Sequence, residues 1–486
     1  MSRDTVFLVA LLTYVAIITG LGSYWMRRAK SATDFLMAGR NLGIFVLIGT
    51  TLATTIGTGS TMGTVGLAYT GGWSGALWAF GLGTGMIIVG LLFAPMRRYG
   101  LMTLGEEITC YYGKHPVLMH TANFGIFISM VCWIGVHIMG GGLYLMAMID
   151  VPFMTGAIIA TVGFAGVTIL GGYLAVVYTD AIQSIILTVG FLGLTFYTLQ
   201  YVGGFSGITA AVPPEYLSFL GVDSIGWKKV ISIPIALCLS MIPEPSFRHR
   251  IYSARSAQAG RRSFLITGVL AILFSFAMVT LGMAAYALNP SLAMQDQALP
   301  WLALEVLPVW FAAVIIICGF AASLSSADSD AATGAVFFVR HIWHACTGRF
   351  PEKSVMMSRW VIAGMFLVAL LVVLQFQNIV DYVVTFISVV LSGLAVVVLL
   401  GRFWPRATAQ GAVAAIVCGA VVSLCIIVIP GQKEFWGEAI IPATIAAVLG
   451  EVIVSLCTPP EKLSFEELVE VTRVERELFE KASGQG

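Results

Sequence analysis

The stretch that decides the fold is residues 50–61, which read TTLATTIGTGST inside an apolar segment spanning 43–70. Glycine destabilises a helix and hydroxyl side chains compete for backbone hydrogen bonds, so a helix is expected to break here. A second apolar segment, 229–243, carries Pro234 and Pro243 and is followed by Pro245. Proline removes a backbone donor and kinks or ends a helix. The sequence therefore predicts two interrupted helices.

The composition places both interruptions inside a membrane. Hydrophobic residues make up 58% of the 486 residues and charged residues 10%, against about 25% charged in a soluble domain. This excludes a soluble enzyme and a disordered chain, and a net charge of +1 offers no surface for nucleic acid. Broken backbone at membrane depth is tolerated only where it lines a cavity or is buried in protein. The chain is predicted to be an all-α polytopic membrane protein with a functional cavity.

Apolar runs long enough for helices of about 20 residues predict about 13 transmembrane segments. Their approximate spans are 5–25, 43–70, 74–95, 119–148, 153–170, 176–201, 229–243, 264–288, 309–339, 359–376, 379–400, 408–430 and 438–457. The two interrupted segments start 186 residues apart (43 and 229), and the fourth and ninth start 190 apart (119 and 309). Five helices followed by five more at a similar offset indicate an inverted repeat whose first helices are interrupted.

The basic residues predict the orientation, because loops rich in Lys and Arg stay in the cytoplasm. With the N-terminus outside, four of the 26 basic residues fall outside (Arg3, Lys228, Lys229 and Lys433), and the other 22 fall inside. The polar tail after residue 460 is then cytoplasmic. We expect it to form a short helix capped by Ser464, with Glu467 three residues later.

The richest polar cluster is residues 321–330, AASLSSADSD, inside the ninth segment. A bare carboxylate at the bilayer centre costs roughly 3 kcal/mol or more, so this cluster needs water, a partner or a cation. Ser325 and Ser329 share one helix face, and Asp328 lies close by. Hydroxyl, carboxylate and carbonyl oxygens suit hard cations such as sodium. The alternative is that the serines hydrogen-bond to their own helix.

A second candidate stretch is residues 171–183, GGYLAVVYTDAIQ, which enters the sixth segment from the predicted cytoplasmic side. Asp180 could bind a cation or guide it out. An acid near a helix N-terminus is also favoured there electrostatically, without any ligand.

These stretches, in this order, resemble the sodium:solute symporter family, which includes the sodium/proline and sodium/galactose transporters. The resemblance runs from about residue 5 to 457 and also includes 53–72, 97–106 (RRYGLMTLGE) and 250–255 (RIYSAR). It implies a leucine-transporter-like fold of two inverted five-helix repeats with broken first and sixth core helices. The expected division is an extra helix 5–25, repeats 43–202 and 228–400, two extra helices 408–457, and a tail 461–486 following a transporter domain 1–460.

The resemblance also implies a sodium site that joins the broken first core helix to the eighth. Its ligands would be the carbonyls of Ala53, Ile56 and Ala322 and the hydroxyls of Ser325 and Ser326. Some members of this family look to have a second sodium site nearer the cytosol. Here that site, or an exit path, would involve Asp180, Ser325, Asp328 and Ser329.

Two departures from the family pattern bear on the solute. Thr55 stands where the proline carriers have an aspartate beside the sodium site, which counts against proline. Ser60 lies near the place where the sugar carriers have a Gln, and the second core helix (74–95) contains no acid, which counts against a sugar. The glycine-rich break exposes backbone amides at a half-helix N-terminus, which favours a solute bearing a carboxylate.

The sequence thus predicts sodium-coupled symport of a small organic solute into the cell by alternating access. The expected partners are that solute and the bilayer of the inner (cytoplasmic) membrane, with no nucleic acid and no obligatory protein partner. Alternatives are a transporter-like sensor, a proton-coupled carrier and an ion channel; no enzyme motif is present. The residues predicted to form the solute pocket are Thr54, Thr55, Gly57, Thr58, Ser60, Trp133, His137, Thr385 and Ser388.

Overall fold

The computed structural model describes residues 3–27, 36–376, 378–460 and 463–482, and they are almost entirely helical. The α-helices with fully described bounds are α1 Arg3–Met26, α2 Ile44–Thr55, α3 Thr64–Gly71, α4 Ala76–Phe93, α5 Leu104–Tyr112, α6 Pro116–Ile149, α7 Phe153–Tyr201, α8 Gly204–Ala211, α9 Val222–Ile225, α10 Trp227–Met241, α11 Pro245–Ser253, α12 Ala257–Leu288, α13 Ala298–Val306, α14 Val309–Phe337, α15 Trp343–Thr347, α16 Ser354–Val373, α17 Ile379–Phe386, α18 Ser392–Phe403, α19 Ala409–Val428, α20 Gln432–Trp436, α21 Ile440–Cys457 and α22 Phe465–Ala482.

The first predicted break is confirmed. Helix α2 ends at Thr55, and Ile56 has φ −81° and ψ 47°, outside the helical range. Helical backbone resumes through a π turn at Gly59–Gly63 and continues as α3. Gly72 then ends the segment with φ 61°, a conformation that favours glycine. The two half-helices α2 and α3 together form the first core helix.

The second break is confirmed as well. Helix α10 contains Pro234 and ends at Met241, and α11 begins at Pro245 with a bend of 42° between the two. The side chain of Glu244 caps α11 by accepting a hydrogen bond from the backbone N–H of Ser246 at 3.4 Å. The prolines therefore divide this segment into two half-helices, and together they form the sixth core helix.

The count of about thirteen spans follows once both broken helices are treated as single crossings. Among the described residues, eleven helical runs are long and apolar enough to span a bilayer, and the bent pair α10–α11 makes twelve. One of the eleven runs, Gly59–Tyr99, turns at Gly72 and so contains parts of two crossings. The part before Gly72 continues the short apolar helix α2, and the two together form the thirteenth crossing. Five spans then lie between Ile44 and Tyr201 and five between Trp227 and Phe403, with α1 before them and α19 and α21 after.

One junction differs from the sequence prediction. The segments expected at 153–170 and 176–201 join in a single helical run of 49 residues, α7. At 1.5 Å per residue this run is about 74 Å long, more than twice the hydrocarbon thickness. It therefore holds two spans, Phe153–Leu170 and Tyr173–Tyr201.

Helices α6 and α14 lie at the centre of the bundle. Their most apolar windows are 78% and 72% buried within the protein, whereas that of α1 is 17% buried. Peripheral α1 faces the surroundings, while α14 brings its polar cluster into the interior. Apart from one isolated bridge between Leu42 and Ala254, the described residues contain no β-structure.

Candidate cation and solute sites

The C-terminal end of α2 faces the serines of α14. The Ser325 hydroxyl lies 3.5 Å from the carbonyl oxygen of Ala53, and the Ser326 hydroxyl donates to the carbonyl of Thr54 at 3.2 Å. The last carbonyls of a helix have no partner within that helix. The break at Ile56 therefore frees backbone oxygens that meet hydroxyl oxygens of α14.

The five residues predicted to hold sodium occupy this junction. Both serine hydroxyls also contact the carbonyl of Ala322, at 3.2 and 3.1 Å. Ala53, Ile56 and Ala322 are buried, as are the two serines. The oxygens available are neutral carbonyls and hydroxyls, ligands suited to a hard monovalent cation. The residues present fit a sodium ion, and the ligand set itself remains a prediction.

Glycine at position 57 accommodates this close approach. A Cβ there would lie 2.5 Å from the Ser326 hydroxyl oxygen and 3.2 Å from Cε1 of His137. The next residue, Thr58, contacts Ser323 of α14 at 2.8 Å and Nδ1 of His137 at 3.2 Å. The broken segment is thus held against both α14 and α6.

The second predicted cation position already contains a positive charge. The Asp180 carboxylate accepts hydrogen bonds from the hydroxyls of Thr50 at 2.9 Å and Ser329 at 3.2 Å. Its Oδ2 atom also lies 3.5 Å from Nη2 of Arg250, and both charged side chains are almost fully buried. The same guanidinium donates to the hydroxyls of Ser329, at 2.8 Å, and Thr54.

Asp328 lies apart from this group. Its carboxylate accepts a hydrogen bond from the Thr168 hydroxyl, and the side chain lines a small cavity that includes Ile18 of α1. Asp328 thus points towards Thr168, whereas the next residue, Ser329, contacts Asp180 and Arg250. The four residues predicted for a second sodium are therefore divided: Ser325 faces Ala53, Asp180 and Ser329 meet at Arg250, and Asp328 faces Thr168.

A cavity adjoins the break in the first core helix. Glycine, hydroxyl, aromatic and imidazole groups predicted for the solute site line this cavity: Thr54, Thr55, Gly57, Ser60, Trp133 and His137. The cavity is also bounded by residues of the second break, including Met241 and Phe247. Both breaks therefore open onto one space between α4, α6 and α14.

Three predicted solute residues lie outside the cavity lining. Thr58 is bonded to Ser323 and His137 instead, and the Ser388 hydroxyl donates to the carbonyl of Val384 in its own helix at 2.7 Å. Thr385 is likewise not among the lining residues. The tenth core helix approaches Trp133 through Phe386, whose ring centroid lies 5.0 Å from that of Trp133.

Two acids in the cavity were absent from the predicted pocket. Glu244 follows the second break, and Asp330 comes from α14; both line the cavity and both are buried. Asp330 Oδ2 lies 3.4 Å from Nε2 of His137. Glu244 could have been recognised in the sequence, because it is an acid between two prolines in an apolar segment. Asp330 is the last residue of the polar cluster 321–330. The two acids count against a solute whose only charge is negative.

Charged residues close the bundle at the end that carries α5 and α11, which we term the basic end. Glu107 of α5 lies 3.0 Å from Arg248 of α11, with both side chains fully buried. Glu106 lies 3.3 Å from Arg340, just after α14. These buried ion pairs join α5 to α11 and to the segment that follows α14.

The tail helix α22 packs on the same group. Arg476 lies 3.3 Å from Glu106, and the ring of Phe465 stacks on Tyr111 with centroids 5.9 Å apart. Its predicted cap is confirmed: Glu467 accepts from the backbone N–H of Ser464 at 2.7 Å, a bond that holds the pKa of Glu467 below its ordinary value. The tail therefore belongs to the basic end.

The fold, in which two broken helices open onto one cavity, defines the class of leucine-transporter-like membrane carriers. One solved structure with this fold, a substrate-bound outward-open state of a Na⁺-coupled sialic acid symporter, has a TM-score of 0.75 at 18% identity, covering 94% of this chain and 99% of that one. Another, MhsT in complex with L-phenylalanine, has a TM-score of 0.58 at 14% identity and covers 84% of this chain and 98% of that one.

The sequence model of the sodium:solute symporter family matches residues 35–419, and the chain belongs to that family. It is similar to the sodium/pantothenate symporter of Escherichia coli (strain K12), 24% identical over 431 residues that cover 85% of this chain and 89% of the relative. It is also similar to the sodium/glucose cotransporter of Vibrio parahaemolyticus, 26% identical over 462 residues covering 86% and 84%. The protein is a multi-pass sodium-coupled symporter of a solute and is not an enzyme.

Proposed function

We propose that the protein couples solute entry to one sodium ion held by Ala53, Ile56, Ala322, Ser325 and Ser326. The observation that supports this is the contact of the α14 serine hydroxyls with the freed carbonyls of α2, at 3.5 and 3.2 Å. The residues expected for a second ion are engaged by Arg250, so a stoichiometry of one sodium per cycle is favoured.

The coupling arises because the ion and the solute share the broken segment. Thr54 contributes its carbonyl to the Ser326 hydroxyl and also lines the solute cavity. An ion that joins α2 to α14 orders the break, and this lowers the entropic cost of solute binding. By linkage, solute must increase sodium affinity by the same factor.

The test does not require the solute. Sodium chloride titrated against choline chloride should raise the melting temperature of the purified chain, because a ligand that binds only the folded state stabilises it. The variant Ser325→Ala with Ser326→Ala should lose this shift. A matched control, Ser263→Ala with Ser275→Ala, removes two hydroxyls bonded within α12 and should retain it. An undiminished shift in the first variant would refute the site.

We also propose that the basic end faces the cytosol, which puts the N-terminus outside. The support is the unequal distribution of Lys and Arg, with 22 of 26 on the predicted inner side. Cys346, which is exposed in α15, gives the test. It should resist a membrane-impermeant maleimide in intact cells and react after permeabilisation, as mapped by mass spectrometry. Labelling in intact cells would reverse the orientation.

A further inference from the structure

The solute cavity contains two buried carboxyl groups. Glu244 and Asp330 are 2% and 3% exposed, and both line the cavity. Among the described lining residues, His137 alone could carry a positive charge, and it lies 3.4 Å from Asp330. A buried carboxylate is costly unless it is paired or hydrogen-bonded.

The nearby guanidinium groups are paired with other acids. Arg248 lies 3.0 Å from Glu107 at the basic end, and Arg250 lies 3.5 Å from Asp180. Neither is among the residues that line the cavity. Apart from His137, the described lining therefore offers no basic side chain that could balance an ionised Glu244.

Glu244 presents one oxygen for that purpose. Its Oε1 atom accepts from the Ser246 backbone N–H and hydroxyl, at 3.4 and 3.2 Å. Its Oε2 atom and the nearby Nε1 atom of Trp133 are both buried, and neither forms a hydrogen bond of good geometry. Unsatisfied buried polar atoms of this kind are rare in folded proteins, and an entering donor would satisfy the carboxylate oxygen. A protonated amine supplies both the donor and the positive charge.

The other walls of the cavity suit the same group. Trp78, Trp133 and Phe247 line the cavity, and aromatic faces attract cations. A metal ion is a poorer explanation, because in the part of the chain that the structure describes no three His, Cys, Asp or Glu residues are grouped to hold one.

We propose that the solute carries a protonated amine, and that Glu244 Oε2 accepts its N–H while Asp330 and the aromatic rings stabilise its charge. This inference rests on the proposed function, because it takes the cavity at the two breaks as the solute site. It assigns specificity to Glu244, which no sequence motif of the chain identified. A solute with both an amine and a carboxylate would place the latter at the amides of Gly57 to Ser60.

The first experiment is a thermal-shift panel on the full purified chain in sodium chloride. The probes are primary amines of two to eight carbons, including amino acids, each matched with the corresponding alcohol, carboxylate and N,N,N-trimethylammonium compound. At least one amine should stabilise the protein, and its matched compounds should bind at least about tenfold more weakly. The inference is overturned if no amine stabilises the chain, or if an alcohol, carboxylate or trimethylammonium compound does so equally well.

The second experiment uses Glu244→Gln and Asp330→Asn with the stabilising amine. Each variant should bind the amine at least about tenfold more weakly, and Asp381→Asn, a matched change at an exposed pair with Lys433, should not. Stabilisation by sodium alone should persist in Glu244→Gln, which separates this inference from the sodium site. Unchanged amine affinity in Glu244→Gln, or proton uptake that replaces amine binding, would overturn the amine assignment.

Discussion

Two clusters of oxygen atoms lie one helical turn apart on α14, and they differ in their electric charge and in the groups that contact them. At the first, Ser325 and Ser326 meet backbone carbonyls, and every group is neutral. At the second, Ser329 meets the Asp180 carboxylate, and the guanidinium of Arg250 fills the position. Since a fixed carboxylate needs a permanent partner, the charged cluster carries its own cation, whereas the neutral cluster can accept and release one.

The largest effect is expected when the guanidinium group of Arg250 is removed from the charged cluster. Arg250→Ala leaves Asp180, which is 1% exposed, without a positive partner, and removing one partner of a buried pair costs about 3–5 kcal/mol. We expect a large loss of thermal stability that sodium chloride restores more strongly than it stabilises the original chain. The melting temperature as a function of sodium concentration measures this.

The double variant Arg250→Ala with Asp180→Asn is the matched control, because it removes both charges together. It should recover stability and lose the added sodium response. If Arg250→Ala alone responded to sodium no more than the original chain, the two clusters would not differ in the way described.

A smaller effect should follow from crowding the neutral cluster. Gly57→Ala places a methyl group 2.5 Å from the Ser326 hydroxyl, and overpacking of this kind costs about 1–3 kcal/mol. We expect sodium affinity, measured by thermal titration, to fall about tenfold or more. Gly364→Ala in α16 is the control, since its Cβ meets no atom within 4 Å. Equal sodium affinities in the two variants would contradict the close approach.

The smallest predicted effect concerns Asp296, a buried acid that forms no ion pair with an arginine in the part of the chain that the structure describes. Burial raises the pKa of Asp296 to about 7, although its Oδ2 accepts from the Ile379 N–H at 2.8 Å. Its carboxyl group stays protonated in the folded chain while ionising in the unfolded chain, so stability is lost as pH rises from about 4 to about 7 and changes no further above that. Between pH 5 and 8 we expect a decrease of about 1 kcal/mol or more.

Asp296→Asn should flatten that part of the pH profile of the melting temperature, and Asp381→Asn, which removes a nearby charge that raises the pKa of Asp296, should flatten it only in part. A profile that Asp296→Asn does not alter would show that this carboxyl group is ionised in the folded protein.

The breaks and the polar cluster of α14 were predictable because they depend on local chemistry. Gly57 and Pro243 interrupt helices by their own backbone preferences, and the four-residue spacing of Ser325 and Ser329 places them on one helix face. Arg250 could not be placed in the same way. It lies 70 residues from Asp180 in the sequence, and only the packing of α11 against α2 directs its side chain towards that acid.

The sequence anticipates part of the cavity lining for a related reason. Residues of the glycine-rich break line the cavity, because the chain itself forms the wall there. Ser388 is not among the lining residues; it lies in a π turn, Ile387–Leu391, that shifts the register of the tenth core helix. Glu244 could not be assigned to the cavity from the sequence, because an acid at this position also caps α11 and the sequence does not distinguish the two roles.

The attachment of α22 has a consequence for the timing of transport. Separating α11 or α14 from α5 requires the ion pairs of Glu107 and Glu106 to break, and Arg476 holds the same Glu106. The free energy with which α22 binds to α5 is therefore part of the barrier to opening the basic end. A truncation far from any ligand would alter how long the carrier dwells in each half of its cycle, with both binding sites intact.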